Sequence, residues 1–308
     1  MGHATRCVPI IKALLIKNNT IILGCTSLTE KILNDEFSQL EKIYLPEYNV
    51  AYSNILPLWF KLLLQFPHIN SVIKAENKLV QKLVNSRKID VVISDNRFGM
   101  YNSKVQSIII SHQLNLKTPF LNGLLREMNA KLMSKFGEVW VPDFEDKSKK
   151  LAGELSENKF GFNCKYIGLI SRLEKVNSEI KYDYLFLLSG PEPSQTYLLN
   201  AIISKIKSIS NKKFVIVSSS NSKTETNSNI TLAILPNAKQ LAELISQAKT
   251  IVCRSGYSTL MDMYLLEKEK LILIPTKGQT EQEYLAEFWK EKFSAVILKE
   301  TEINQYQF

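Results

Sequence analysis

The sequence predicts an α/β protein made of two doubly wound parallel sheets. Three observations lead there. Short β-branched apolar runs alternate with longer helical patterns along nearly the whole chain. Several of the runs are apolar at consecutive positions, as in Ser107-Ile108-Ile109-Ile110 and Leu271-Ile272-Leu273-Ile274. Strands covered on both faces read that way. A polar break at Ser171–Lys181 follows Ile167-Gly168 and precedes a fresh strand pattern, so the 308 residues divide into domains 1–175 and 176–308.

In the front domain the strands fall at Thr20–Cys25, Lys42–Leu45, Val91–Ser94, Gln106–Ser111, Glu138–Val141 and Cys164–Ile167. In the second they fall at Tyr182–Ser189, Lys213–Val217, Ile230–Leu235, Ile251–Cys253, Leu271–Ile274 and Ala295–Leu298. Helical periodicity runs through Pro9–Lys17, Ser71–Arg87, Ser194–Ile209, Ala238–Ala248, Tyr257–Leu266 and Glu281–Lys292. Ser218–Asn229 reads as a loop. Ile55–Phe66 is apolar nearly all round, so it is either core or a face that dips into lipid. It is too short to span a membrane and carries Lys61. The start is unusual. A doubly wound domain normally places a strand before the glycine turn that opens its first helix. Here Gly2-His3 opens a helix at once. The front sheet is therefore expected to have a gap at its middle, unless a neighbouring strand closes over it.

Composition narrows the function classes. Hydrophobic residues make up 45% and charged residues 22%, which is ordinary for a globular protein. Cys7, Cys25, Cys164 and Cys253 show no zinc or redox spacing and read as reduced packing residues of a cytoplasmic protein. Three histidines are too few for a His-rich metal site, and the expectation is no metal and no cofactor. The net charge of +9 is uneven. Residues 1–175 hold 24 Lys and Arg against 16 Asp and Glu; residues 176–308 hold 15 against 14. A basic front half suits an anionic membrane surface, or it simply solvates the chain. No nucleic-acid-binding motif is present, so nucleic acid is not an expected partner.

Three strand-to-helix turns in the second domain could carry chemistry. In Cys253-Arg254-Ser255-Gly256-Tyr257-Ser258-Thr259, a strand ends, small residues turn, and a helix begins. Unpaired N–H groups and the helix dipole at such a start favour phosphate. Ser258 and Thr259 add hydroxyls, and Asp262, about one turn in, could accept from ribose. The plainer reading is a capped helix without a ligand. Pro275–Glu283 puts Gln279, Glu281 and Gln282 at another strand end, where hydroxyl-rich ligands find polar partners. Ser189-Gly190-Pro191 could offer a second phosphate contact. In the front domain His3 could act as a general base. Asp95, Arg97 and His112 follow two neighbouring strands, so polar groups gather at one sheet edge. The sequence has no Walker loop, no full Gly-x-Gly-x-x-Gly, no nucleophile elbow and no Asp-x-Asp pair.

These segments resemble the GT-B glycosyltransferases. The resemblance is strongest to the group containing the transferase that adds N-acetylglucosamine to lipid-linked muramyl peptide, and to uncharacterised bacterial relatives of it. It is carried by Cys253-Arg254-Ser255-Gly256 with Thr259 and Asp262, by Gln279 to Tyr284, and by Gly2-His3 with Pro9. Ile93–Arg97, Trp140–Asp143 and Tyr166–Gly168 carry it further. It implies two Rossmann-like domains facing across a cleft, with a nucleotide-sugar donor on the second. The donor would be UDP-linked, for example UDP-N-acetylglucosamine. Ser189, Gly190, Arg254, Ser255, Gly256, Tyr257, Ser258, Thr259, Asp262, Gln279, Glu281 and Gln282 would bind it. The acceptor, lipid-linked or saccharide, would lie on the front domain near Arg97 and His112. His3 would be the base, with Asp95 as its partner or substitute, in an inverting, metal-independent transfer. The enzyme would be cytoplasmic, peripheral at the inner membrane face. A Ser255→Trp or Asp262→Ala change is expected to weaken donor binding without harming the fold. On this resemblance the chain is short at both ends. The alternatives are a UDP-N-acetylglucosamine 2-epimerase and a truncated, non-catalytic nucleotide-sugar binder.

Overall fold

A computed structural model describes residues 2–48, 58–117, 122–190, 192–219 and 227–308. The chain divides into two compact units, Met1–Ser171 and Arg172–Phe308.

The front unit runs α1 (Gly2–Ile16), β1 (Ile22–Cys25), α2 (Ser27–Glu36), β2 (Glu41–Tyr44), α3 (Leu58–Ser86), β3 (Val91–Asp95), β4 (Gln106–Ile110), α4 (Asn122–Met133), β5 (Glu138–Val141) and β6 (Cys164–Tyr166). The second runs β7 (Tyr182–Leu187), α5 (Ser194–Ile206), β8 (Phe214–Ser218), β9 (Ile230–Ile234), α6 (Ala238–Ser246), β10 (Ala248–Cys253), α7 (Tyr257–Leu265), β11 (Leu271–Leu273), α8 (Thr280–Phe293) and β12 (Val296–Ile297). A 3-10 turn, Glu300–Glu302, follows. Each strand read from the sequence is present with its ends within three residues of the reading, and every strand pairing is parallel.

The helices need more correction. α1 begins at Gly2, as its Gly2-His3 opening implies, ahead of the periodic stretch from Pro9, whereas α3 begins at Leu58, well before the expected start at Ser71. Pro9 and Pro67 lie inside them. Proline costs a helix one N–H donor and crowds the preceding turn, so a proline early in a pattern reads as a start. In α1, burial of Val8 and Ile11 against Leu23, Cys25 and Leu33 carries the helix through it. α2 and α4 are further helices not anticipated in the sequence. The environment of the Ile55–Phe66 apolar stretch, and most of the Ser218–Asn229 loop, lie outside the described residues and side chains.

The second sheet has the order β12-β11-β10-β7-β8-β9. The chain winds outward from β7 to β9, returns to the other side of β7 at β10, and winds outward again. The direction of winding therefore switches between β7 and β10, and open α/β sheets bind ligands beyond the carboxyl ends of the strands at such a switch. One face of this sheet packs on α5, whose Leu198, Leu199, Ile202, Ile203 and Ile206 form a buried stripe at helical spacing. Phe308 closes the same core with its ring centroid 5.2 Å from that of Phe186.

The front strands form two separate sheets, β1-β2 and β3-β4-β5-β6. Aligned by winding order, β2 and β1 correspond to β9 and β8, and β3 onward to β10 onward. The place that β7 fills in the second unit has no counterpart among the described front strands. This is the gap expected from the sequence, and among the described residues no neighbouring strand closes it.

Candidate functional site

The turns after β7, β10 and β11 lie side by side, because Cys253 is in register with Leu187 on one side and Leu273 on the other. The switch point thus brings the sequence-predicted segments at 189–190, 254–262 and 279–282 to one sheet edge.

The start of α7 is shaped for an incoming group. Its N-cap is Gly256, with φ −74° and ψ 138°, which has no side chain of its own to cap the helix. A Cβ built on Gly256 meets nothing within 4 Å. The backbone there needs no glycine, since φ is negative, so what the missing side chain leaves is open space beside the first turn. Ser258, Thr259 and Asp262 are all half-buried and share a helix face by their three- and four-residue spacing, whereas Tyr257, Leu260 and Met261 are buried.

Ser255 and Arg254 are engaged within the fold. Ser255 is fully buried and its Oγ donates to the Gln282 carbonyl at 2.7 Å, which fixes the first turn of α8 against the turn after β10. A tryptophan at 255 has no room, so the expectation that Ser255→Trp spares the fold does not hold. Arg254 is 2% exposed. Its Nη1 donates to the Ile274 carbonyl at 3.1 Å and pairs with Glu300, and its Nη2 donates to Ser194 Oγ at 3.1 Å.

The 276–283 turn is organised by its own amides. Gln282 Oε1 accepts from Thr276 N at 2.9 Å, Gln282 Nε2 donates to Gln279 Oε1 at 2.6 Å, and Glu283 accepts from Gly278 N at 2.9 Å. Glu281 is half-buried in the first turn of α8. At the end of β7, Ser189 is half-buried and Gly190 exposed. Glu192 accepts from Thr196 N at 3.2 Å and from Thr196 Oγ1 at 2.8 Å, so the first turn of α5 already carries a carboxylate. Gln195, a residue missed in the sequence, is buried there. Its amide meets Ser218 Oγ at 3.1 Å and Ser219 Oγ at 2.9 Å, which ties the turn after β8 to α5.

In the front unit, Asp95 ends β3 and His112 follows β4, its neighbour. Arg6, reaching in from α1, joins them. Its Nε donates to Asp95 Oδ2 at 2.9 Å and to Oδ1 at 3.1 Å, Nη2 pairs with Oδ1, and Nη1 lies 3.3 Å from His112 Nδ1. Guanidinium can only donate, so Nδ1 accepts and the ring proton of neutral His112 sits on Nε2. The Cys7 thiol donates to Asp95 at 3.4 Å, and burial followed by the Asp95 charge raises its pKa. His3 lies in the first turn of α1, with its side chain outside the described set. Arg97 belongs to a different cluster. Its Nε donates to buried Glu76 at 2.6 Å and its guanidinium covers the Tyr48 ring at 5.0 Å. Glu76 also accepts from Gly99 N at 3.0 Å and Tyr48 Oη at 2.9 Å. Burial, followed by the Glu76 charge, pushes the Tyr48 hydroxyl pKa well up. Arg6 and Glu76 were not read as site residues in the sequence. Arg6 lies three residues after His3, so its place in the chain is legible but its contact is not.

Residues 189–308 match the glycosyltransferase family 28 C-terminal domain. That match spans the three turns around the switch point. The second unit carries that domain. Solved structures similar to the chain show the GT-B fold across both units. The spinosyn rhamnosyltransferase SpnG complexed with thymidine diphosphate matches with TM-score 0.67 and 9% identity, covering 99% of this chain and 87% of that one. UGT2 of Phytolacca americana, complexed with UDP-2fluoro-glucose and pterostilbene, matches with TM-score 0.63 and 16% identity, covering 99% and 86%. MurG of Acinetobacter baumannii matches with TM-score 0.54 and 13% identity, covering 99% and 86%. No curated protein matches the chain. Among the described residues no helix is long and apolar enough to cross a membrane, and no three His, Cys, Asp or Glu side chains converge as a metal site would require.

Proposed function

We propose that the protein is a glycosyltransferase that uses a nucleotide-diphosphate sugar, UDP-linked, and that the start of α7 holds the diphosphate. The observation that carries this reading is the open space over Gly256, the N-cap of α7, at the switch point of the sheet. Backbone N–H groups and the helix dipole stabilise negative charge there, and that charge grows on the leaving diphosphate as the glycosidic bond breaks. Ser258 and Thr259 add hydroxyl donors from the open face, Asp262 accepts from ribose, and Gln279, Glu281 and Gln282 face the sugar hydroxyls. Ser255 serves through its backbone, since its hydroxyl is engaged with Gln282. Thymidine diphosphate in one structural relative and a UDP-sugar in another support a nucleoside diphosphate donor.

The acceptor is a hydroxyl on a lipid-linked or envelope saccharide bound by the front unit, and the basic surface of that unit supports a peripheral approach to an anionic membrane. His3 removes the acceptor proton. Asp95 and His112, set by Arg6, line the same sheet edge and orient the acceptor. Attack from the face opposite the departing diphosphate inverts the anomeric centre.

The test is a single substitution. Gly256→Leu fills the open space without backbone strain, so the variant is expected to melt near the wild type yet to lose binding of UDP and UDP-N-acetylglucosamine by calorimetry. Unchanged affinity in a folded Gly256→Leu protein would remove α7 as the donor site. Incubation of wild type with UDP-N-acetylglucosamine alone should leave the sugar unepimerised, and addition of an envelope lipid extract should release UDP. Epimerised product without acceptor would favour the epimerase instead.

A further inference from the structure

Arg254 is expensive to bury, and its hydrogen bonds do not fully compensate it. Its guanidinium is 2% exposed while its Nε finds no hydrogen-bond partner among the described residues. Buried ion pairs are weak stabilisers, because desolvation offsets most of their attraction. An apolar residue would hold this position in the core at least as well. What Arg254 does that an apolar side chain could not is reach three separate elements. It joins Ser194, the first residue of α5, to the carbonyl that ends the β11 segment at Ile274, and to Glu300 in the 3-10 turn. It does so from the residue directly before Ser255-Gly256, on the strand that borders the switch point.

We propose that Arg254 is a positioning residue that locks the start of α5 to the start of α7, so that the turns after β7 and β10 receive the donor diphosphate as one rigid unit. This rests on the donor reading above. Arg254 itself, held inward by three partners, makes no contact with the phosphates. The lock requires the fork geometry of a guanidinium, with Nη1 on Ile274 and Glu300 while Nη2 reaches Ser194, and a lysine cannot reproduce it.

The experiment compares the full chain with Ser194→Ala, Arg254→Lys and the double variant. Binding of UDP is followed by calorimetry, uridine by ligand-observed NMR, and folding by thermal melts. Ser194→Ala is expected to weaken UDP about three- to tenfold, leave uridine affinity unchanged and shift the melt by no more than about 2 °C. Arg254→Lys, which keeps the charge, should not rescue UDP binding, and adding Ser194→Ala to it should cost little more. Equal UDP affinity in Ser194→Ala overturns the proposal, as does a parallel loss of UDP and uridine. So does full rescue by lysine, which would make Arg254 a source of charge only. If Arg254→Lys does not fold, Ser194→Ala alone decides. A wild type that binds no UDP overturns the donor reading, and this inference with it; wild-type binding with unaffected variants overturns only the coupling.

Discussion

Arg6 and Asp95, 89 positions apart in sequence, form a buried ion pair with two hydrogen bonds from one nitrogen, at 2.9 and 3.1 Å, and a second contact from Nη2. The pair fastens the first helix to the end of β3. Arg6→Met removes the counter-charge from a carboxylate that is only 9% exposed, and is expected to cost about 3–5 kcal/mol in denaturant unfolding. The double change Arg6→Met with Asp95→Leu should recover part of that loss, because no buried charge is then left behind. A double variant that is worse than Arg6→Met by the full cost of a second lesion would contradict this.

The same guanidinium fixes a proton. With Nη1 of Arg6 at 3.3 Å, His112 Nδ1 can only accept. Nitrogen-15 spectra of ring-labelled protein at pH 8 are expected to show His112 as the Nε2–H tautomer, and Arg6→Met should let the tautomers mix. A spectrum with the proton on Nδ1 in the wild type would mean that the contact is not made in solution.

Gly99 marks the tightest backbone approach in the front unit. A Cβ there would sit 2.3 Å from the Ile73 carbonyl and 2.5 Å from Glu76 Cβ, on a helix that cannot easily yield. Gly99→Ala is expected to destabilise by about 3 kcal/mol or more. Gly137 is the control, since its added Cβ would meet only the Ser107 carbonyl at 3.8 Å, and Gly137→Ala should stay within about 0.5 kcal/mol of wild type. Equal stabilities for the two variants would show that α3 does not press on the turn after β3.

Burial also sets a pH dependence. The thiol of Cys253 is pushed up to about 12 and that of Cys164 to about 11, in both cases by desolvation. An unfolded thiol titrates near 9. Below that pH both states hold the proton and the stability is fully present. Above it the unfolded chain releases protons that the folded chain keeps, so stability falls as pH rises from about 9 toward about 12. Urea unfolding at several pH values should show this decline, and Cys253→Ala should flatten part of it. A wild-type profile that is level across this range would refute the assignment.

The strands were legible in the sequence because a β-branched run bounded by polar turns has few other ways to fold. Ile108–Ile110 and Leu271–Leu273 needed no tertiary information. Helix starts were less legible where a proline intervened: the burial of Val8 and Ile11 that keeps α1 continuous through Pro9 depends on strands elsewhere in the chain. The candidate site was legible as segments, since a small-residue turn between strand and helix is a local pattern. The direction of each side chain was not. Nothing local distinguishes Ser255, turned inward to Gln282, from half-buried Ser258, and nothing near Arg97 announces Glu76 rather than His112 as its neighbour. Arg6 escaped notice because its role is defined by a residue 89 positions away.

The divided front sheet has a consequence for handling the protein. Among the described residues β1 and β3 each pair on one side only, so their other margins present main-chain donors and acceptors with no described strand alongside. Such margins are adhesive toward any extended peptide, including a second molecule of the same kind.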